Sequence, residues 1–257
     1  MHNINQNSEI INAKKVSIII PCYNQGQYIS EAIESALNQT YNNIEIVCYN
    51  DGSSDNSSEV IAKYAQKYNN IIFIDSKENK GVIQARNTAI ESCNGEYILP
   101  LDADDKIDAT YIEKAAKILD TMPNVGIVYC KAEFFGAKTG EWPIPPYDSN
   151  KIVYFNCIFN CSLFRKTDFE MAGGYKDYMT EGLEDWDLWL SLIEQGLDVY
   201  RIDEVLFAYR QQQEKTRNDI PKEIEDKLFK LILTNHLNLY LKNPYFTNKI
   251  FSSHSVY

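Results

Sequence analysis

Histidine is scarce in this chain, with three in 257 residues, at positions 2, 236 and 254. They are too scattered to form a ligand set. The six cysteines, at 22, 48, 93, 130, 157 and 161, show no zinc spacing, since Cys157 and Cys161 have no third or fourth partner near them. Cys48 and Cys130 lie inside apolar runs, where a free thiol behaves as a small hydrophobe. There is no secretory hydrophobic region and no apolar stretch of membrane-spanning length. A cytoplasmic protein with reduced thiols is expected, soluble or peripheral to the inner face of the cell membrane. Positive charge is also short: 25 Lys and Arg against 36 Asp and Glu leave a formal net charge of −11, which argues against a nucleic acid partner. No glycine-rich loop carrying Lys or Arg is present to cradle a triphosphate. What the chain does have is 44% hydrophobic residues, enough for a sizeable core in one large domain or two small ones.

Residues 1–13 are polar, Asn-rich and aperiodic, and read as a flexible tail. Then short apolar runs begin, at Val16–Ile20, Ile44–Tyr49, Ile71–Asp75, Tyr97–Leu101 and Val125–Cys130. Between them lie segments with apolar residues at helical spacing, such as Ile29, Ala32, Ile33, Ala36 and Leu37, or Ile112, Ala115, Ala116 and Leu119. Repeated strand–helix alternation predicts an α/β fold with a mostly parallel sheet flanked by helices. After Lys131 the pattern loosens. Trp142-Pro143-Ile144-Pro145-Pro146 cannot be regular helix or central strand and reads as an extended connection. Ile158–Phe164 predicts a strand, Gly173-Gly174 a turn, Glu184–Glu194 a helix and Val205–Tyr209 a last strand. Ile220 to Leu241 carries one long helical pattern, so residues 213–257 are expected to form a C-terminal helical extension to a domain of residues 14–212.

Asp102, Asp104 and Asp105 crowd together where the run Tyr97–Leu101 ends. Like charges this close repel increasingly as water is excluded, and a divalent cation removes the difficulty. Hard ions such as Mg²⁺ or Mn²⁺ take carboxylate oxygens, often only one or two from the protein, with phosphate and water completing the shell. The competing reading is a polar turn capping the next helix. In a parallel sheet, ligands bind beyond the carboxyl ends of the strands, and two other polar clusters fall at that edge. They are Pro21-Cys22-Tyr23-Asn24 and Asn50-Asp51-Gly52-Ser53-Ser54-Asp55. Arg86, between Ile83 and Ile90 on a partly apolar ridge, needs either an anionic ligand or an acidic partner inside the fold. Glu184-Asp185-Trp186-Asp187 opens a helix, with Asp185 on the side of Leu188, Trp189 and Leu192 and Asp187 on the polar side with Glu184, Ser191 and Glu194. Apolar surroundings raise a carboxylate's pKa and a helix N-terminus lowers it; a base could be tuned between the two, or the acids could simply complement the helix dipole.

Taken in order, Ser17–Asn24, Asn50–Asp55, Asn79-Lys80-Gly81 with Arg86-Asn87, Asp102–Asp105, Gly173-Gly174-Tyr175, Glu184-Asp185-Trp186 and Tyr209-Arg210 resemble family 2 glycosyltransferases, the inverting group with the GT-A fold. The resemblance implies a Rossmann-like sheet, with residues 14–130 as the nucleotide-sugar-binding half and 131–212 as the acceptor-binding half. It implies transfer from a nucleotide-sugar donor, with a lean toward UDP, and a Mn²⁺ or Mg²⁺ cofactor. The acceptor would be a saccharide or lipid-linked glycan, as in bacterial surface polysaccharide synthesis. By the same resemblance Pro21, Tyr23, Asp51 and Arg86 hold the donor's nucleoside, Asp102 and Asp104 form the Asp-X-Asp motif, with Asp102 touching both nucleotide and metal and Asp104 the more direct metal ligand, and Asp185 is the base. One departure stands out: many relatives place a histidine two residues after the Tyr-Arg pair, whereas Tyr209-Arg210 is followed here by Gln211-Gln212-Gln213.

Other functions fit parts of this pattern. A glycosidase also needs two carboxylates. A nucleotidyltransferase shares the sheet and the metal, and a non-catalytic nucleotide-sugar-binding module would share everything except turnover. The acid-free stretch from Lys227 to Tyr257, with Lys227, Lys230, Lys242 and Lys249, suggests peripheral contact with an anionic membrane. The alternative is a helix packed on its own domain or on a second subunit of a homo-oligomer.

Overall fold

A computed structural model describes residues 13–212 and 221–244; the expected N-terminal tail and parts of the C-terminal extension lie outside the described residues. The first half alternates as the apolar runs predict. Strand β1 (Val16–Cys22) is buried along its whole length, as are most residues of β2 (Ile44–Asp51) and β4 (Tyr97–Pro100), while β3 (Ile71–Ser76) is more open. Near-continuous apolar strands suit a parallel sheet covered on both faces. Their helices are α1 (Ile29–Leu37), α2 (Ser57–Lys67) and α3 (Val82–Glu91). In α1 the buried residues are Ile29, Ala32, Ile33 and Ala36, one stripe of a 3.6-residue period. β2 and β4 flank β1, and β3 lies outside β2, all in parallel.

Beyond β4 the sheet changes character. β5 (Lys106–Ile107) and α4 (Tyr111–Thr121) lead into the long β6 (Val125–Gly136), followed by β7 (Gly140–Trp142). The three-residue β8 (Leu163–Arg165) then inserts antiparallel between β4 and β6. The full order is β3-β2-β1-β4-β8-β6-β9-β5, where β9 (Asp198–Gln211) runs parallel to β6 and antiparallel to β5. The expected strand at Ile158–Phe164 is thus shorter and begins later, and helix α5 (Lys166–Ala172), ended by Gly173 at φ 76°, follows it directly. Helix α6 spans Glu184–Glu194, as the spacing predicts.

The single long C-terminal helix is corrected to two: α7 (Lys222–Asn235) and α8 (Leu237–Lys242), broken at His236. Leu228, Ile232 and Tyr240 are buried, the Trp186 and Phe229 rings lie 6.0 Å apart, and the Tyr240 hydroxyl donates to the Val153 carbonyl. The apolar stripe of this extension therefore packs on the rest of the chain. No helix among the described residues is long and apolar enough to cross a membrane. All six cysteines are free thiols in buried positions.

Candidate functional site

The chain runs outward from β1 to β2 and β3, then returns to place β4 on the other side of β1. That reversal opens a crevice at the carboxyl edge between β1 and β4, where open α/β sheets bind ligands. The loops after β1, β2 and β4 meet there. Asn24, held at φ 53°, zips the first two together: its backbone N–H donates to Ser53 Oγ at 2.9 Å and its side-chain oxygen accepts from the Ser54 N–H at 2.8 Å. Beside it, the Gly26 N–H donates to Asp55 Oδ2 at 2.9 Å. Pro21 is buried at the end of β1, and Tyr23 is exposed on the rim.

Asp51 is buried, and its two oxygens accept from the Lys80 N–H (2.8 Å) and the Gly81 N–H (2.9 Å) at the start of α3. A carboxylate at a helix N-terminus is favoured by the dipole, so Asp51 shapes the loop opposite it. Gly52 is required for the same approach: at φ 67°, a Cβ there would come within 2.6 Å of the Asn79 nitrogen.

Arg86 is 2% exposed and carries two ion pairs, Nη2 with Asp102 Oδ1 and Nη1 with Glu184 Oε1, each at 2.7 Å. Burial disfavours its charge, but Asp102 and Glu184 outweigh burial and raise its pKa. The internal acidic partner therefore exists, and it is the candidate site itself: one guanidinium ties the loop after β4 to the start of α6. Its ring neighbour is Tyr175, 5.5 Å from the guanidinium carbon to the ring centroid.

The carboxylates after β4 do different things. Asp102 is half-exposed. Asp104 accepts from Gln212 Nε2 at 2.8 Å, while burial and the charge of Asp102 raise its pKa. Asp105 is buried against the end of β9, accepting from the Arg210 N–H at 2.8 Å; burial and the charges of Asp104 and Asp102 push its pKa well up. Arg210 also donates from Nε to the Asp104 carbonyl at 2.8 Å and pairs with Glu31 at 2.7 Å, its guanidinium 4.5 Å from the Tyr28 ring centroid and 4.2 Å from that of Phe135. The end of β9 thus clamps the Asp-X-Asp loop, and Gln212, two residues after Arg210, lies directly on Asp104. Gln213 lies outside the described residues. Among the described residues no three His, Cys, Asp or Glu side chains form a metal site by themselves.

At the start of α6, Asp185 is partly open to solvent and accepts from the Trp186 N–H at 2.7 Å. Burial of its carboxyl and the adjacent charge of Glu184 push its pKa up to about 7, against the lowering effect of Arg86. Leu183, immediately before Glu184 at the start of the helix, sits at φ 59°, a conformation unusual for a branched apolar residue. Among the described residues Asn24 and Leu183 alone combine positive φ with a side chain, and both border this crevice. Asp187 does not lie on a solvated face. It is buried and accepts from Asn235 Nδ2 and meets His236 Nε2, each at 3.2 Å, because α7 and α8 cover that side of α6.

A sequence model of the family described as "Glycosyl transferase family 2" matches residues 17–172 of this chain, which include the loops after β1, β2 and β4. An uncharacterised glycosyltransferase of Rickettsia typhi is 34% identical over 222 residues, covering 82% of this chain and 68% of the relative. The chain belongs to glycosyl transferase family 2. Solved structures carry the same fold at lower identity. Staphylococcus aureus TarS, in complex with UDP-GlcNAc, superposes with a TM-score of 0.75 at 19% identity, covering 93% of this chain and 73% of that one. A mannosyltransferase of Pyrobaculum calidifontis, in complex with GDP-Man and Mn²⁺, gives 0.65 at 20% identity, over 92% and 72%. The glycosyltransferase described here therefore has a GT-A architecture with helices added at its C-terminal end. Tyr175, Glu184, Arg210 and Gln212 are the residues whose place in the crevice the sequence did not disclose. Tyr175, Glu184 and Arg210 stand inside motifs, but only the fold shows what each one touches.

Proposed function

We propose that this enzyme transfers a sugar from a nucleotide-sugar donor to an acceptor hydroxyl in a single displacement, with inversion at the anomeric carbon. The observation that carries the reading is one guanidinium, Arg86, joining two unlike carboxylate sites: Asp102 at the β4 edge and the α6 N-terminus beside Asp185. Pro21, Tyr23 and Asp51 hold the nucleoside. Each Asp51 oxygen keeps a lone pair beyond its backbone bond, so the carboxylate can shape the loop and still accept from a base. Arg86, buried and doubly paired, supports that pocket by fixing Asp102 and Glu184 around the nucleotide.

Asp102 and Asp104 are hard oxygen donors whose charges repel, and this donor set fits a Mg²⁺ or Mn²⁺ ion that takes its remaining ligands from diphosphate and water. Bound there, such an ion would neutralise charge on the leaving nucleoside diphosphate. The Mn²⁺ complex of the mannosyltransferase supports this cofactor, and the UDP-GlcNAc complex of TarS supports a UDP-sugar. Asp185 takes the acceptor's proton as its oxygen attacks; a pKa near 7 suits a general base working at neutral pH. The acceptor, a saccharide or lipid-linked glycan of a bacterial surface polysaccharide, enters from the side built by residues 131–212.

A panel of nucleotide sugars tests the whole reading by protection against thermal unfolding and by Mn²⁺- or Mg²⁺-dependent release of nucleoside diphosphate. Protection by one nucleotide sugar, strengthened by the metal and accompanied by turnover, is expected. Pyrophosphate release from a nucleoside triphosphate would replace the reading with a nucleotidyltransferase, and protection without turnover would leave a binding module.

A further inference from the structure

Among the described residues, two buried side-chain nitrogens lack a hydrogen-bond partner: Arg86 Nε and Asn160 Nδ2. Buried polar groups in native proteins are nearly always paired, so each unpaired one marks a place where something polar belongs. These two are not independent. Both side chains meet Tyr175, whose ring lies 5.5 Å from the Arg86 guanidinium carbon and whose hydroxyl donates to Asn160 Oδ1 at 3.0 Å. Tyr175 is buried against Arg86, the guanidinium that pairs with Asp102 and Glu184, which sets the Tyr175–Asn160 pair beside the candidate site.

Topology says which part of a donor would reach Asn160. β8 runs antiparallel to β4, with Tyr97 opposite Arg165 and Ile98 opposite Phe164. The residues leading into β8 therefore sit at the edge where β4 ends. Along that edge the order is Asp51 at the end of β2, Pro21 at the end of β1 with Tyr23 just after it, Asp102 and Asp104 after β4, then Asn160 before β8. With the nucleoside at the first two positions and the diphosphate at the third, the next group along a nucleotide sugar is the sugar.

We propose that Asn160, oriented by the Tyr175 hydroxyl, hydrogen-bonds a hydroxyl group of the donor's transferred sugar and helps to select it. The inference rests on the nucleotide-sugar reading above. It does not depend on which way the amide is turned. If the oxygen and nitrogen of Asn160 were exchanged, the nitrogen would donate to Tyr175 and an unpaired acceptor would face the ligand; a sugar hydroxyl satisfies either, since it both donates and accepts.

Calorimetric titration with UDP, UDP-GlcNAc, GDP and GDP-mannose in the presence of Mn²⁺ tests it on the wild type, Asn160→Ala and Tyr175→Phe. Asn160→Ala should bind the nucleoside diphosphate as the wild type does and bind the nucleotide sugar about three- to tenfold more weakly, the usual effect of one lost neutral hydrogen bond. Tyr175→Phe should shift the same way, and it carries the test alone if Asn160→Ala fails to fold. Equal weakening of both ligands, or an unchanged affinity for a nucleotide sugar that the wild type binds, overturns the proposal while leaving the donor reading intact. Where the wild type binds none of the four, the nucleotide sugar found by the thermal panel takes their place; binding of no nucleotide sugar in that panel overturns the donor reading, and this inference with it.

Discussion

At the scale of single residues, the candidate base shows how much an environment adds to a residue type. Asp185 and Asp187 are two letters apart on one helix, yet Asp187 is buried beneath Asn235 and His236, while Asp185 stands next to the Arg86 ion pairs with its pKa pushed up to about 7 by burial and the charge of Glu184. Asp185→Asn should leave nucleotide-sugar affinity near that of the wild type while transfer falls by roughly 10²–10⁴-fold, measured by calorimetry and product formation. Because the base must be ionised, kcat/KM of the wild type should fall about tenfold per pH unit below pH 7 and level off above it. Asp104 is a separate case, raised by burial and by Asp102. A carboxyl raised above its unfolded value adds stability only at low pH and loses it as pH rises through the folded value, so at neutral pH the metal-free cluster works against folding. Asp104→Asn should abolish the stabilising effect of Mn²⁺ and raise the metal-free melting temperature, by roughly 2–4 °C for each kcal/mol of repulsion relieved. Spacing made Asp102, Asp104 and Asp185 legible as candidates. It misplaced Asp187, because helical periodicity knows nothing of a second helix packed on the polar face, and it passed over Asn160, since a lone Asn belongs to no pattern.

At the scale of elements, the joint between α6 and the C-terminal helices is held by one buried histidine. His236 lies between Asp187 (3.2 Å) and Glu194 (3.0 Å), at the break between α7 and α8. Burial disfavours its charged form, but the two carboxylates outweigh burial and raise its pKa. Its contribution to stability is therefore full below its unfolded value of about 6.5. It is lost as pH rises through the higher folded value. His236→Gln should cost about 3 kcal/mol near pH 6, where a charged partner of a buried carboxylate is removed, and clearly less near pH 9, read from denaturant unfolding at both values. The break could not be read in Thr234-Asn235-His236-Leu237, which contains no Gly or Pro; tertiary contacts make it. By contrast β1, α1, β2 and α2 were legible because burial on both sheet faces writes continuous apolar strands and regular helical stripes. Three-residue β8 is too short for any period, so the antiparallel insertion could not be seen.

At the scale of the whole molecule, a single sheet runs from β3 to β5, and its far end reaches back to the crevice through Arg210 and Gln212. The C-terminal helices brace the same construction from the other side, burying Leu228, Ile232 and Tyr240. Truncation at residue 220 should lower the melting temperature by roughly 10 °C or more, since each such side chain contributes on the order of 1.5–3 kcal/mol. Cosedimentation with anionic and neutral vesicles addresses the basic stretch directly. The packing predicts that neither the full chain nor the truncated form sediments; salt-sensitive binding that disappears on truncation would restore a membrane contact. Lys227 already has a partner within the protein, Glu181 at 2.8 Å.

The buried thiols have a practical consequence. Thiolate is the reactive form, and burial raises the Cys22 thiol to about 11 and Cys130 to about 12, so the native protein should resist maleimide reagents even though it holds six cysteines. An exposed cysteine introduced as Glu78→Cys, on the loop whose backbone holds Asp51, would then be the one position labelled in the folded state. A fluorophore attached there could follow donor entry in real time with every native cysteine left in place.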